Sequence, residues 1–171
     1  MEEAIRLLNE MVSRGLLDGY AIGGAMASLF YAEPVATFDL DVFVLLPQAQ
    51  AGQSVVTIEP QLAFLREHGA VEQGEHIVVH GLPVQLLPVY NPLVAEATKQ
   101  AVTKRVGQAE TRVCRQEHLL AILVQTGRDK DRVRLPLLLE GTLPDRRLLD
   151  EILERHGLRR KWDEWTKSPH V

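Results

Sequence analysis

The chain predicts an α/β (α+β) protein, a mixed β-sheet flanked by helices with a small helical part at its C-terminal end. Three observations carry this. β-prone runs such as residues 20–22 and 38–46 alternate with helix signals over the first 115 residues. From Gln116 onward, apolar residues recur at helical spacing instead, beginning with Leu119, Leu120, Leu123 and Val124. The apolar fraction of 46% and charged fraction of 25% are ordinary for a globular protein of 171 residues. The expected division is a core over residues 1–115 and a helical extension over 116–171 packed on it.

The elements follow in order. Ile5, Leu8, Met11 and Val12 form one stripe of a helix over residues 3–15, with Gly15 near its stop. Residues 20–22 form a strand, Gly23-Gly24 a turn, and residues 25–31 a helix of small and apolar residues. A strand over 38–46 follows the Glu33-Pro34 loop, and residues 47–54 lack periodicity and predict a loop. Pro60 opens a helix to His68 with Leu62 and Leu65 inward. Residues 76–80 and 83–89 predict a hairpin about Gly81-Leu82. Asn91-Pro92 caps and starts a helix to Gln100. Short strands at 101–106 and 110–114 flank Gly107. Helices then cover 116–126, 129–140, a stretch from Asp145 to His156, and a last one with Trp162 and Trp165 on one face. Pro136 is expected to kink or split the second of these.

Composition excludes several function classes. No apolar run approaches the roughly 20 residues that span a bilayer. The acidic start Met1-Glu2-Glu3 predicts no signal peptide. A lone cysteine, Cys114, rules out an internal disulfide and fits a reducing compartment. The net charge of −4 advertises no polyanion partner, so any such site must be local.

The chemistry concentrates at the glycine turn and the strand after it. The helix that follows Gly23-Gly24 offers free N–H groups suited to a phosphate. Asp39 and Asp41 are two residues apart, so on a strand both point to one face. Two carboxylates on a buried strand are unfavourable unless they face solvent or hold a cation, and beside a phosphate cradle a divalent metal is the natural explanation.

Gly-Gly, a helix and then Thr37-x-Asp39-x-Asp41 resemble the signature of the nucleotidyltransferase superfamily, with spacing similar to small bacterial proteins related to AbiEii-type toxins. The resemblance implies that Asp39 and Asp41 are catalytic and bind Mg²⁺ (or Mn²⁺) carrying a nucleoside triphosphate. It also implies that Gly23 and Gly24 hold the phosphates, and that Thr37 belongs to the nucleotide site. Arg128-Asp129-Lys130-Asp131 resembles the family's Arg-x-Lys-Asp element, which makes Arg128 and Lys130 the cations expected near a triphosphate. A cytoplasmic, bacterial or archaeal setting follows from the resemblance alone.

The chain also departs from the pattern. Gln85 stands where a third acid is expected, Val35 where an arginine is frequent, and Leu123 where a lysine is frequent. Glutamine neither accepts a proton nor neutralises a metal. Glu72 or Glu75 would have to substitute. Elsewhere, His76 and His80 share a strand face but lack a third ligand, so exposed edge-strand histidines are expected. Cys114, near His118, is expected to be a buried structural thiol. The basic residues from Arg128 to Lys161 are interleaved with acids and read mainly as charged helix surface, with RNA contact a second option. Three readings stay open: an enzyme transferring a nucleotidyl group to RNA, a protein or a small molecule; a nucleotide sensor or toxin–antitoxin-type binding partner on the same fold; and a structural module whose acids are only solvated.

Overall fold

The structure is a computed structural model and describes residues 1–32, 39–47 and 57–167. Thr37, Val35 and most of the loop expected over 47–54 lie outside the described residues.

Helix α1 (Glu2–Ser13) buries Ala4, Ile5, Leu7, Leu8 and Met11. Val12, expected in that stripe, is instead exposed. Strand β1 (Gly19–Ile22) leads through the glycine turn into a short helix, α2 (Gly24–Ser28). The helix expected through residue 31 tightens after Ser28: Leu29, Phe30 and Tyr31 each donate to the carbonyl three residues back. Strand β2 (Leu40–Leu45) follows, then α3 (Glu59–Glu67), which buries Gln61, Phe64 and Leu65 and leaves Leu62 half-buried. Strands β3 (Val71–Gln73), β4 (His76–Val79) and β5 (Leu82–Pro88) form an antiparallel series. The turn between β4 and β5 places His80 and Gly81 at φ 47° and 81°. That geometry takes His80 off the strand, so it does not share a face with His76 as expected. Nor is β4 an edge strand, because β3 covers it. Strand β3 itself has an all-exposed, largely polar sequence, which offers no alternation to read.

Asn91 caps α4 (Pro92–Lys99) as expected, its Oδ1 accepting from Val94 N–H at 2.9 Å. Strands β6 (Val102–Val106) and β7 (Ala109–Val113) pair antiparallel, and α5 (Gln116–Thr126) ends at Gly127 in the left-handed region. Helices α6 (Asp129–Glu140), α7 (Arg146–Arg155) and α8 (Arg159–Lys167) complete the described chain. Pro136 does not split α6. The carbonyl it leaves without an intrahelical partner belongs to Arg132, an exposed residue that water can serve.

Among the described residues seven strands form one mixed sheet in the order β3-β4-β5-β2-β1-β7-β6. Pairs β2–β5 and β1–β7 are parallel and the others antiparallel. The two faces can be told apart from register. Tyr20 hydrogen-bonds Asn9 of α1 at 2.8 Å and lies opposite Val44, so α1 covers the face carrying Val42 and Val44. By alternation Asp41 and Phe43 point to the other face, where α2 and α5 pack. A second apolar cluster joins Leu93 of α4 to Leu120, Leu138, Ile152, Leu153 and Trp165 of the later helices.

Glu96 locks α4 to α5 and α7. It accepts from His118 Nε2 at 3.3 Å, Arg155 Nη1 at 2.5 Å and His156 Nε2 at 2.9 Å. Burial works to raise the Glu96 pKa, but the bonds from His156, Arg155 and His118 outweigh it and hold the carboxyl below its ordinary range. Burial likewise holds His118 below the ordinary histidine value, against the pull of Glu96. Both depressions act in one direction: as pH falls, the unfolded chain takes up protons first. The contribution of this cluster to thermal stability is therefore expected to decline below about pH 6.5 and further below about 4.3. His118→Gln is expected to flatten the decline between pH 7 and 5, and melting curves with an unchanged slope would contradict this.

Candidate functional site

The site is built where β1 ends. Gly23 N–H donates to the Asp41 carbonyl at 2.9 Å, which lays the turn directly against the acid-bearing strand. A Cβ on Gly23 would overlap the Phe43 ring, and one on Gly24 would overlap the Asp41 carboxylate. Gly24 also has φ 57°, a conformation that side-chain-bearing residues resist. The pair is thus fitted to Asp41 and is more than a flexible hinge.

Across β2, Asp41 lies beside Gln85 of β5 in parallel register. Asp39 stands two residues earlier, immediately before β2, and its charge reaches Asp41. Burial, and then that charge, push the Asp41 carboxyl above its ordinary value; Arg128, Lys130 and Arg134 oppose the shift without cancelling it. The structure therefore brings together Gly23, Gly24, Asp39, Asp41, Arg128 and Lys130 from three separate stretches of sequence.

A cavity of about 230 Å³ opens between the β2–β5 face and α5. Its sheet wall has two levels, Asp41 with Gln85 and then Phe43 with Leu87. Opposite them, Leu119, Ile122, Leu123 and Thr126 form one stripe of α5. Leu123 lines the cavity and presents hydrocarbon to it. Arg128 and Arg134 add positive charge, and Tyr90 closes the rim.

Arg128 caps α6 and is held there. Its Nε and Nη2 donate to the fully buried Asp131 at 2.8 and 3.2 Å, a bidentate pair that orients the guanidinium against the cavity. The salt-bridged helix start and the cavity cation are thus one feature. Lys130 is exposed and acts on Asp41 only through its charge.

Arg134 and Tyr90 were not singled out from the sequence as site residues. The spacing of Lys130 and Arg134, four apart on a helix, was the available signal for the first. Tyr90 carried none beyond adjacency to the Asn91 cap. Conversely, Glu72 and Glu75 cannot replace a third acid. Glu72 sits on the edge strand β3, with β4 and β5 between it and β2, and is paired with Arg66 at 3.0 Å. Glu75 lies in the exposed turn after β3. Cys114 is fully buried, and burial pushes its thiol up to about 12, as suits a structural cysteine. A larger hollow of about 360 Å³ among α6, α7 and α8 carries Arg146 and the Asp150–Arg159 ion pair and brings no acids together.

Among the described residues no three His, Cys, Asp or Glu side chains converge as a metal site. The available donors are the Asp39 and Asp41 carboxylates and the Gln85 amide carbonyl, all hard oxygens. Such a set suits Mg²⁺, which keeps several waters and takes further ligands from phosphate. Burial of the Asp41 carboxylate, and then its repulsion from Asp39, are the unfavourable terms a cation would relieve. No described helix is long and apolar enough to cross a membrane.

No protein family description and no curated protein sequence matches the chain. Solved structures do. ANT(2'')-Ia in complex with adenylyl-2''-tobramycin aligns over 96% of this chain and 95% of its own, at 12% identity and a TM-score of 0.50. An antigenic nucleotidyltransferase-like protein from Paracoccidioides brasiliensis aligns over 93% and 89%, at 13% identity and a TM-score of 0.55. At these identities the likeness is one of fold: a mixed sheet flanked by helices, in the nucleotidyltransferase arrangement.

Proposed function

We propose that this chain is a Mg²⁺-dependent nucleotidyltransferase of the small AbiEii-toxin-like branch, with Mn²⁺ able to serve. It would move a nucleoside monophosphate from a triphosphate to an acceptor hydroxyl on RNA, a protein or a small molecule. The observation that supports this most is the fit of Gly24 onto Asp41, beside Gln85 and within reach of three cationic side chains.

Asp39 and Asp41 would hold the cation, which when bound neutralises triphosphate charge. Arg128, fixed by Asp131, and Arg134 would orient the phosphates from the opposite side. Gln85 can donate or accept a hydrogen bond but cannot take the acceptor's proton.

Gln85 also favours a second reading, a nucleotide sensor or toxin–antitoxin-type partner that binds without transfer. Incubation of α-labelled triphosphates and Mg²⁺ with a whole bacterial extract, fractionated afterwards into RNA, protein and small molecules, separates the two. The transferase reading expects label on one of these fractions with the wild type, more with Gln85→Glu, and none with Asp41→Asn. Nucleotide binding with no transfer by either the wild type or Gln85→Glu would establish the sensor instead.

A further inference from the structure

We infer that Tyr90 is the platform on which the nucleobase stacks, and that the site accepts any base with a preference for purines. The inference rests on the nucleotide reading above and deepens it. Of the large hydrophobic residues exposed among the described residues, Tyr90 is the aromatic one, at 60%. Tyr20 and Tyr31 tie their hydroxyls to protein, Tyr20 to Asn9 and Tyr31 to the Cys114 carbonyl. Tyr90 is held differently. Its ring stands edge-on to Phe43, centroids 6.4 Å apart and planes at 67°, at the rim of the cavity that holds Asp41 and Arg128.

The two levels of the sheet wall then assign the two halves of a nucleotide. Asp41 and Gln85 form the polar level. Phe43 and Leu87 lie two residues further along their strands, roughly 7 Å away, and Ile122 and Leu123 share the cavity lining with them. Phosphates and cation belong to the first level and a flat apolar ring to the second, with Tyr90 as its ledge. Thr126 is the polar side chain on this stretch of α5, and its hydroxyl already donates to the Ile122 carbonyl at 2.8 Å. Ser28, also in the lining, donates its hydroxyl to the Gly24 carbonyl at 3.3 Å, so both of these hydroxyls are engaged and a base is selected by stacking area, which is greater for purines.

Calorimetric titration with MgATP, MgGTP, MgCTP, MgUTP and magnesium tripolyphosphate tests this. The wild type is expected to bind ATP and GTP within a few-fold of each other, both more tightly than CTP and UTP. Tyr90→Ala should weaken ATP by roughly 5- to 150-fold with tripolyphosphate affinity unchanged, and Tyr90→Phe should restore ATP. Equal ATP affinity in wild type and Tyr90→Ala, or sharp selection of one base, would overturn the inference while leaving the nucleotide reading intact. Wild-type protein that binds neither ATP nor tripolyphosphate would remove both.

Discussion

Replacing Gly24 with alanine is expected to abolish nucleotide binding while lowering stability by only about 1–2 kcal/mol. The two effects have different origins. At φ 57° an alanine carries the left-handed penalty wherever it sits, and that sets the stability loss. Its Cβ would also occupy the place of the Asp41 carboxylate, the mobile end of a short side chain. Asp41 would turn away with little further loss of stability, but the oxygen donors would no longer converge. Thermal melting and titration with MgATP separate the terms. A large drop in melting temperature with binding intact would show that Gly24 serves the fold and not the site.

Asp41→Asn is expected to stabilise the ligand-free protein while eliminating metal-dependent nucleotide affinity. Asp41 is buried, lies near Asp39, and has its pKa raised. The folded state therefore retains that proton longer than the unfolded state does, and stability falls as pH rises past about 4 toward the raised value. Asparagine removes the charge and with it the decline. The advantage of the variant should be absent at acid pH and present at neutral pH. Denaturant unfolding at both pH values reads it directly, and a variant less stable than wild type at neutral pH would contradict the assignment. Gain of stability with loss of binding marks a residue kept for function.

Much of this arrangement was legible in the sequence because it is local. Gly23-Gly24, Asp39 and Asp41 fall within 19 residues, and periodicity alone places a turn, a helix and a strand among them. The Asn91 cap was equally readable, since it depends on one residue's own chemistry. The position of Gln85 beside Asp41 came from comparison with the nucleotidyltransferase pattern, and the parallel β2–β5 register now puts it there.

What could not be read depends on long-range packing. Tyr90 becomes a site residue only because β5 delivers it to the cavity rim, and nothing in its neighbours signals that. Glu72 and Glu75 looked available in sequence because β3, short, polar and wholly exposed, was not recognised as a strand three places removed from β2. Val12 and His80 failed for smaller reasons, one a stripe edge at the helix end and the other a left-handed turn.

The central claim, an acid pair that holds a metal–nucleotide complex, is tested most directly by calorimetric titration of ATP with and without Mg²⁺. The proteins to compare are the wild type and the double variant Asp39→Asn/Asp41→Asn. The expected result is binding by the wild type only when Mg²⁺ is present, and none by the double variant at an undiminished melting temperature. Equal binding by both proteins, or none by either, would contradict it.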